Sequence, residues 1–124
     1  MKVLGIRFCR VSNSAREVAD FLGNGLGLPP MSEGLGPAKE GKPYQGSVFP
    51  AGDSWIELWE PGEGMPEGDM LQIVVDDADA FAARAREQGL RCEGPMDAHG
   101  ERMYFVKAPD GLAMSFQSRL PDTD

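Results

Sequence analysis

Hydrophobic and polar positions change their period several times along the chain. Residues 3–11 read as a strand. Ser12-Asn13-Ser14 then opens a helix, with Glu17 three residues after Ser14 as a capping box. That helix is expected to run to about Leu22, where Gly23, Gly25 and Gly27 end it and Pro29-Pro30 forbids continuation. Residues 31–44, rich in Gly, Pro, Lys and Glu, predict a loop or weak edge strand. Residues 46–50 and 54–59 predict a hairpin about a turn at Gly52-Asp53.

The second half starts over. Residues 70–75 read as a strand, and Asp76-Asp77 begins a helix carrying Phe81, Ala82 and Ala85 to Gly89. Residues 91–93 predict a short strand before Gly94-Pro95. Residues 102–107 and 112–117 predict two more, separated by the turn Pro109-Asp110-Gly111.

The most distinctive pattern is Trp55-Ile56-Glu57-Leu58-Trp59, which holds both tryptophans of the chain. Strict alternation places Trp55, Glu57 and Trp59 on one face and Ile56 and Leu58 on the other. The Ile/Leu face suits a core. The tryptophan face carries a carboxylate that is costly to bury without a partner, so it should line a solvent boundary or a site.

Both halves read strand, helix, then two or three strands. Val11-Ser12-Asn13 and Val75-Asp76-Asp77 repeat at an offset of 64, as do Gly25-Leu26 and Gly89-Leu90. Trp55-Ile56-Glu57-Leu58 stands opposite Ala113-Met114-Ser115-Phe116. The repetition predicts one α+β domain of two βαβββ modules, residues 1–60 and 69–120, with a linker at 61–68 and a tail at 121–124. Each module is expected to form a curved mixed sheet with its convex face over a helix. The concave faces then form a cleft.

Composition narrows the functional classes. The 124 residues are 41% hydrophobic and 26% charged, with a net charge of −8. Such acidity disfavours nucleic-acid binding, which needs clustered Lys and Arg. No apolar run approaches the ~20 residues of a membrane span, and no signal peptide is visible. The expectation is a soluble cytoplasmic protein. Two distant cysteines, Cys9 and Cys92, do not make a disulfide framework, and a single histidine, His99, excludes a His- or Cys-rich zinc site.

Val11-Ser12-Asn13, Gly25-Leu26-Gly27-Leu28, Ile56-Glu57-Leu58 and Ala108-Pro109-Asp110-Gly111 together resemble the glyoxalase / bleomycin-resistance / extradiol-dioxygenase superfamily, also called the vicinal oxygen chelate fold. Enzymes of that family hold a divalent metal at four strand positions. The resemblance puts these at Ile6, Glu57, Met70 and Ser115, so one ligand of four survives. A shift of one residue brings in Arg7 or Leu71, which are no better. His99 and Glu101 fall outside the family positions. The resemblance therefore implies no metal and no cofactor.

Alternation along the strands then lines the cleft with Trp55, Glu57 and Trp59; with Ile6, Phe8 and Arg10; with Met70, Gln72 and Val74; and with Ala113, Ser115 and Gln117. Arg102 and Tyr104 are expected at the rim. Aromatic faces with a few polar groups suit a planar or cationic small molecule. The resemblance implies a homodimeric binding protein like those that sequester bleomycin- or mitomycin-like antibiotics. The alternative is a lyase, isomerase or dioxygenase of the superfamily, working through a metal or through Glu57 as general base.

Overall fold

The computed structural model describes residues 1–30, 46–62 and 65–121. The expected loop at 31–44 lies outside the described residues. The chain is α+β. Its elements are β1 (Val3–Val11), α1 (Ala15–Asp20), β2 (Gly46–Ala51), β3 (Ser54–Trp59), β4 (Gly68–Val75), α2 (Ala78–Glu87), β5 (Glu93–Ala98), β6 (Glu101–Lys107) and β7 (Ala113–Arg119). They fall into two compact units, Arg7–Asp69 and a second made of Met1–Ile6 with the chain from Met70 onward. No described helix is long and apolar enough to cross a membrane.

In the unit Arg7–Asp69, β3 is central. It pairs antiparallel with β2 and parallel with β1. Leu58 points away from the tryptophan face and is 1% exposed, packed with Phe49 of β2 and with Ala15 and Ala19 of α1. Ala15 and Ala19 are four apart and share one helix face. Their small side chains let α1 lie close to the sheet.

Local detail at α1 differs from the expected capping box. Ser14 is the N-cap but makes no side-chain cap bond. Ser12 does the local work instead, its hydroxyl accepting from the Ser14 amide at 3.0 Å. After Asp20 the chain widens into a π-helical turn, Phe21–Gly25, closed by Leu26 N–H on the Phe21 carbonyl at 2.9 Å. Gly27, with φ of 82°, then takes the left-handed conformation that ends it.

In the other unit, β4 pairs parallel with β7, and β7, β6 and β5 follow antiparallel. Its core joins Ala78 and Ala82 of α2 to Val75, Cys92, Tyr104 and Phe116. Tyr104 stacks on Phe116 with ring centroids 5.5 Å apart. Asp77 caps α2 as expected, accepting from the Ala80 amide at 3.1 Å. The short strand expected at 91–93 begins at Glu93 instead and runs through Gly94-Pro95 to Ala98. A shift of register between Glu93 and Met96 accommodates the proline, which has no N–H to give a partner. The N-terminus is tied to this unit by Lys2, whose amide donates to Asp76 Oδ1 at 2.9 Å.

The repeat is regular at the level of strand pairing. β1–β3 matches Arg7 with Trp55 and Cys9 with Glu57. β4–β7 matches Met70 with Ala113 and Gln72 with Ser115. The N-caps Ser14 and Asp77, the buried pairs Ala15/Ala78 and Ala19/Ala82, and the strand residues Arg7/Met70 and Cys9/Gln72 are all 63 apart. The offset of 64 read from the sequence is thus one residue too long through the first strand and the helix start.

Anchoring of α2 depends on acidity. Tyr104 Oη donates to Asp79, and Arg102 donates to Asp79 at 3.0 Å and to Asp97 at 2.9 Å. These donors hold the Asp79 and Asp97 carboxyls below the ordinary 3.8, Asp79 chiefly through Tyr104 and Asp97 chiefly through Arg102. The bond to Asp79 raises the Tyr104 phenol above its ordinary 10.0. A depressed carboxyl contributes stability above its unfolded pKa and loses it as pH falls through the folded one. A raised phenol contributes below its unfolded pKa and loses it as pH rises through the folded one. The melting temperature should therefore fall below about pH 4. In Asp79→Asn that acid limb should be shallower, as read by thermal melts from pH 2.5 to 7.

Candidate ligand-binding site

β3 presents Trp55, Glu57 and Trp59 along one face, and the two indoles turn their N–H edges onto the carboxylate between them. Trp55 Nε1 donates to Glu57 Oε2 at 2.5 Å and Trp59 Nε1 donates to Oε1 at 3.0 Å. The carboxylate thus takes its partners from the residues two before and two after it. The Cys9 thiol adds a third donor, and of the four lone pairs on the two oxygens one remains to accept from a ligand donor.

The register decides what joins this face. Arg7 stands beside Trp55, Cys9 beside Glu57 and Val11 beside Trp59. On the other side of β3, Val48 stands beside Glu57 and Gly46 beside Trp59. The Arg7 guanidinium lies over the Trp55 ring, 3.8 Å from its centroid, a cation–π contact. Cys9 is 8% exposed. Burial, and then the charge and hydrogen bond of Glu57, push its thiol up to about 12, against a smaller opposing pull from Arg7. At neutral pH Cys9 is therefore a protonated donor toward Glu57, not a thiolate nucleophile.

Several expected lining residues stand elsewhere. Phe8 and Arg10 pair with Ile56 and Leu58 and so occupy the opposite face from Glu57. Arg10 forms an ion pair with Asp69 at 3.1 Å. The same parity removes Ile6 from the tryptophan face. A strand has a side-chain period of two, so an error of one residue in the pairing exchanges its faces. Arg102 and Tyr104 are not on a rim. They pair with Ser118 and Phe116 and turn toward α2, where Asp79 holds them. His99 sits on the exposed β5–β6 turn with φ of 52°.

Gln72 and Ser115 are neighbours across β4 and β7. Ser115 is 0% exposed and Gln117 1% exposed. Ser115 Oγ donates to Gln117 Oε1 at 2.8 Å, and Gln117 Nε2 donates to Gln72 Oε1 at 3.4 Å. This is a neutral polar chain whose members satisfy one another. It has no charge of its own.

Arg7, Cys9 and Gly46 escaped the sequence reading. The caps and buried alanines at 63-residue spacing were the signal that would have found Arg7, because they make it the counterpart of Met70. The donor set does not suit a divalent ion. Among the described residues no three His, Cys, Asp or Glu side chains converge. Beside Trp55 and Glu57 the first strand brings a guanidinium, Arg7, and a single thiol, Cys9. Met70 and Ser115 supply only a thioether and a hydroxyl, which are weak ligands for such an ion.

No protein-family model and no curated protein matches the sequence. Solved structures do match. A protein described as an NAD-dependent benzaldehyde dehydrogenase from Legionella pneumophila superposes with a TM-score of 0.64 at 12% identity, over 92% of this chain and 98% of that one. A glyoxalase/bleomycin resistance protein/dioxygenase superfamily member from Vibrio splendidus gives 0.62 at 16% identity, over 93% and 97%. Methylmalonyl-CoA epimerase from Mycobacterium tuberculosis gives 0.62 at 19% identity, over 96% and 88%. The chain has the fold of the glyoxalase/bleomycin-resistance/dioxygenase superfamily.

Proposed function

We propose that the protein captures a planar small molecule, an antibiotic or similar metabolite, without a metal and without transforming it. The observation that carries this reading is the Glu57 carboxylate held between two indole N–H groups on one face of β3. An ionised carboxylate only accepts hydrogen bonds. The group it selects must therefore donate, as an amine or a ring N–H does. Indole faces supply stacking for the attached ring system. On its own face Glu57 is joined by the Arg7 guanidinium, and among the described residues no three His, Cys, Asp or Glu side chains converge, which weighs against the metal-dependent alternative. A homodimer remains part of the proposal, and light scattering on the purified protein measures it.

Both tryptophans lie in this cluster, so the whole tryptophan emission of the protein reports on it. Titration with 9-aminoacridine should change that emission saturably, and calorimetry should give the same midpoint. Acridine, which lacks the amino donor, should bind about tenfold more weakly, the worth of one charge-assisted hydrogen bond. Trp59→Ala should lose most of the affinity. Failure of both probes and of a wider panel of planar amines to bind would overturn the reading. Stoichiometric nickel, iron, manganese or zinc in the purified protein would do so as well.

A further inference from the structure

We infer that Gly46 is the positioning residue that sets the placement of Trp59, and through it the geometry of the Glu57 site. The inference deepens the binding function proposed above and rests on it for its ligand consequence alone. Gly46 lies directly beside Trp59 in the β2–β3 ladder. A Cβ built on Gly46 would stand 2.4 Å from Trp59 Cε3, 2.7 Å from Cζ3 and 2.8 Å from Cδ2. Real Cβ atoms do not approach other atoms so closely, and an indole is a rigid plate with no flexible end to yield. The ring therefore lies flat against the bare backbone of β2.

Conformation does not require the glycine. Gly46 is not among the glycines with positive φ, so its backbone is open to any residue. Only the space taken by Trp59 demands the missing side chain. The consequence passes directly to the site, because the same ring donates Nε1–H to Glu57 Oε1. A methyl group at position 46 would push the ring off β2 and carry the N–H away from the carboxylate. The other indole is placed differently, under the Arg7 guanidinium, and Trp55 pairs with Pro50 rather than Gly46. Trp55 should thus be indifferent to a change at 46, which makes the effect specific.

The test is an NMR spectrum of the ¹⁵N-labelled protein. It contains two indole N–H signals, one for each tryptophan, and Trp59→Ala identifies its own by loss. In Gly46→Ala the Trp59 signal should move toward the free-indole position and exchange faster with solvent, while the Trp55 signal stays. Gly46→Ala should also lower the melting temperature of the wild-type protein and have little effect in the Trp59→Ala background, because the clash is then absent. Affinity for 9-aminoacridine should fall about tenfold in Gly46→Ala, in line with loss of the oriented indole. An unmoved Trp59 signal, or an equal melting cost in the two backgrounds, would overturn the inference. Both readouts are ligand-free. If the wild-type protein binds no probe, the binding function fails and the role of Gly46 is still decided by the resonance and the double mutant.

Discussion

Glu57→Gln should lower affinity for 9-aminoacridine at least about tenfold and destabilise the protein by about 2 kcal/mol, because it replaces a charged acceptor of two N–H bonds with a neutral amide. The change keeps the volume but cannot keep the pattern. Gln offers one oxygen acceptor and one NH₂ donor, whereas both indoles present N–H. One indole keeps its bond, and the other faces a donor. Carboxylate hydrogen bonds sit at the stronger end of the scale, and partial exposure discounts them here.

A second consequence reaches Cys9. Its thiol is raised by burial first and then by the charge and hydrogen bond of Glu57. Removing the charge should bring the pKa down from about 12, although burial alone keeps it above that of a free thiol. The thiolate absorbance of Cys9, followed against pH in a Cys92→Ser background, measures this. An unchanged titration in Glu57→Gln would show that the carboxylate does not act on the thiol.

Leu58→Ala, one residue along the strand, should have the opposite profile. Leu58 is 1% exposed and packs with Phe49, Ala15 and Ala19. Truncating it removes buried apolar surface and leaves a cavity that the short helix α1 closes only in part. The expected cost is about 2–5 kcal/mol, read by denaturant unfolding. Its side chain faces away from Trp55 and Trp59, so the folded fraction should bind 9-aminoacridine with nearly wild-type affinity. A large affinity loss in the folded Leu58→Ala protein would mean that the two faces of β3 are not independent. Together the two substitutions separate a face that binds from a face that holds the fold, across a single peptide unit.

Much of this division was present in the chain itself. Alternation over residues 54–59 determined that Glu57 shares a face with both tryptophans and that Leu58 does not. The succession of strand and helix patterns, the Asp77 cap and the repeated segments determined an α+β chain of two related halves, and the resemblance of its motifs implied the glyoxalase fold.

What alternation along one strand cannot contain is its parity relative to the next. Pairing Arg7 with Trp55, and not Ile6 or Phe8, was decided by how β1 docks beside β3, and that choice exchanged Phe8 and Arg10 for Arg7 and Cys9. Alternation did not fix the face of Arg102 and Tyr104 either, and the β6–β7 register turns them under α2. The partner of the Glu57 carboxylate was also a tertiary matter. It depends on the side-chain rotations of Trp55 and Trp59, which the Arg7 guanidinium and the bare backbone of Gly46 hold in place. Local periodicity sets which side chains share a face of one strand. Only packing sets which faces meet.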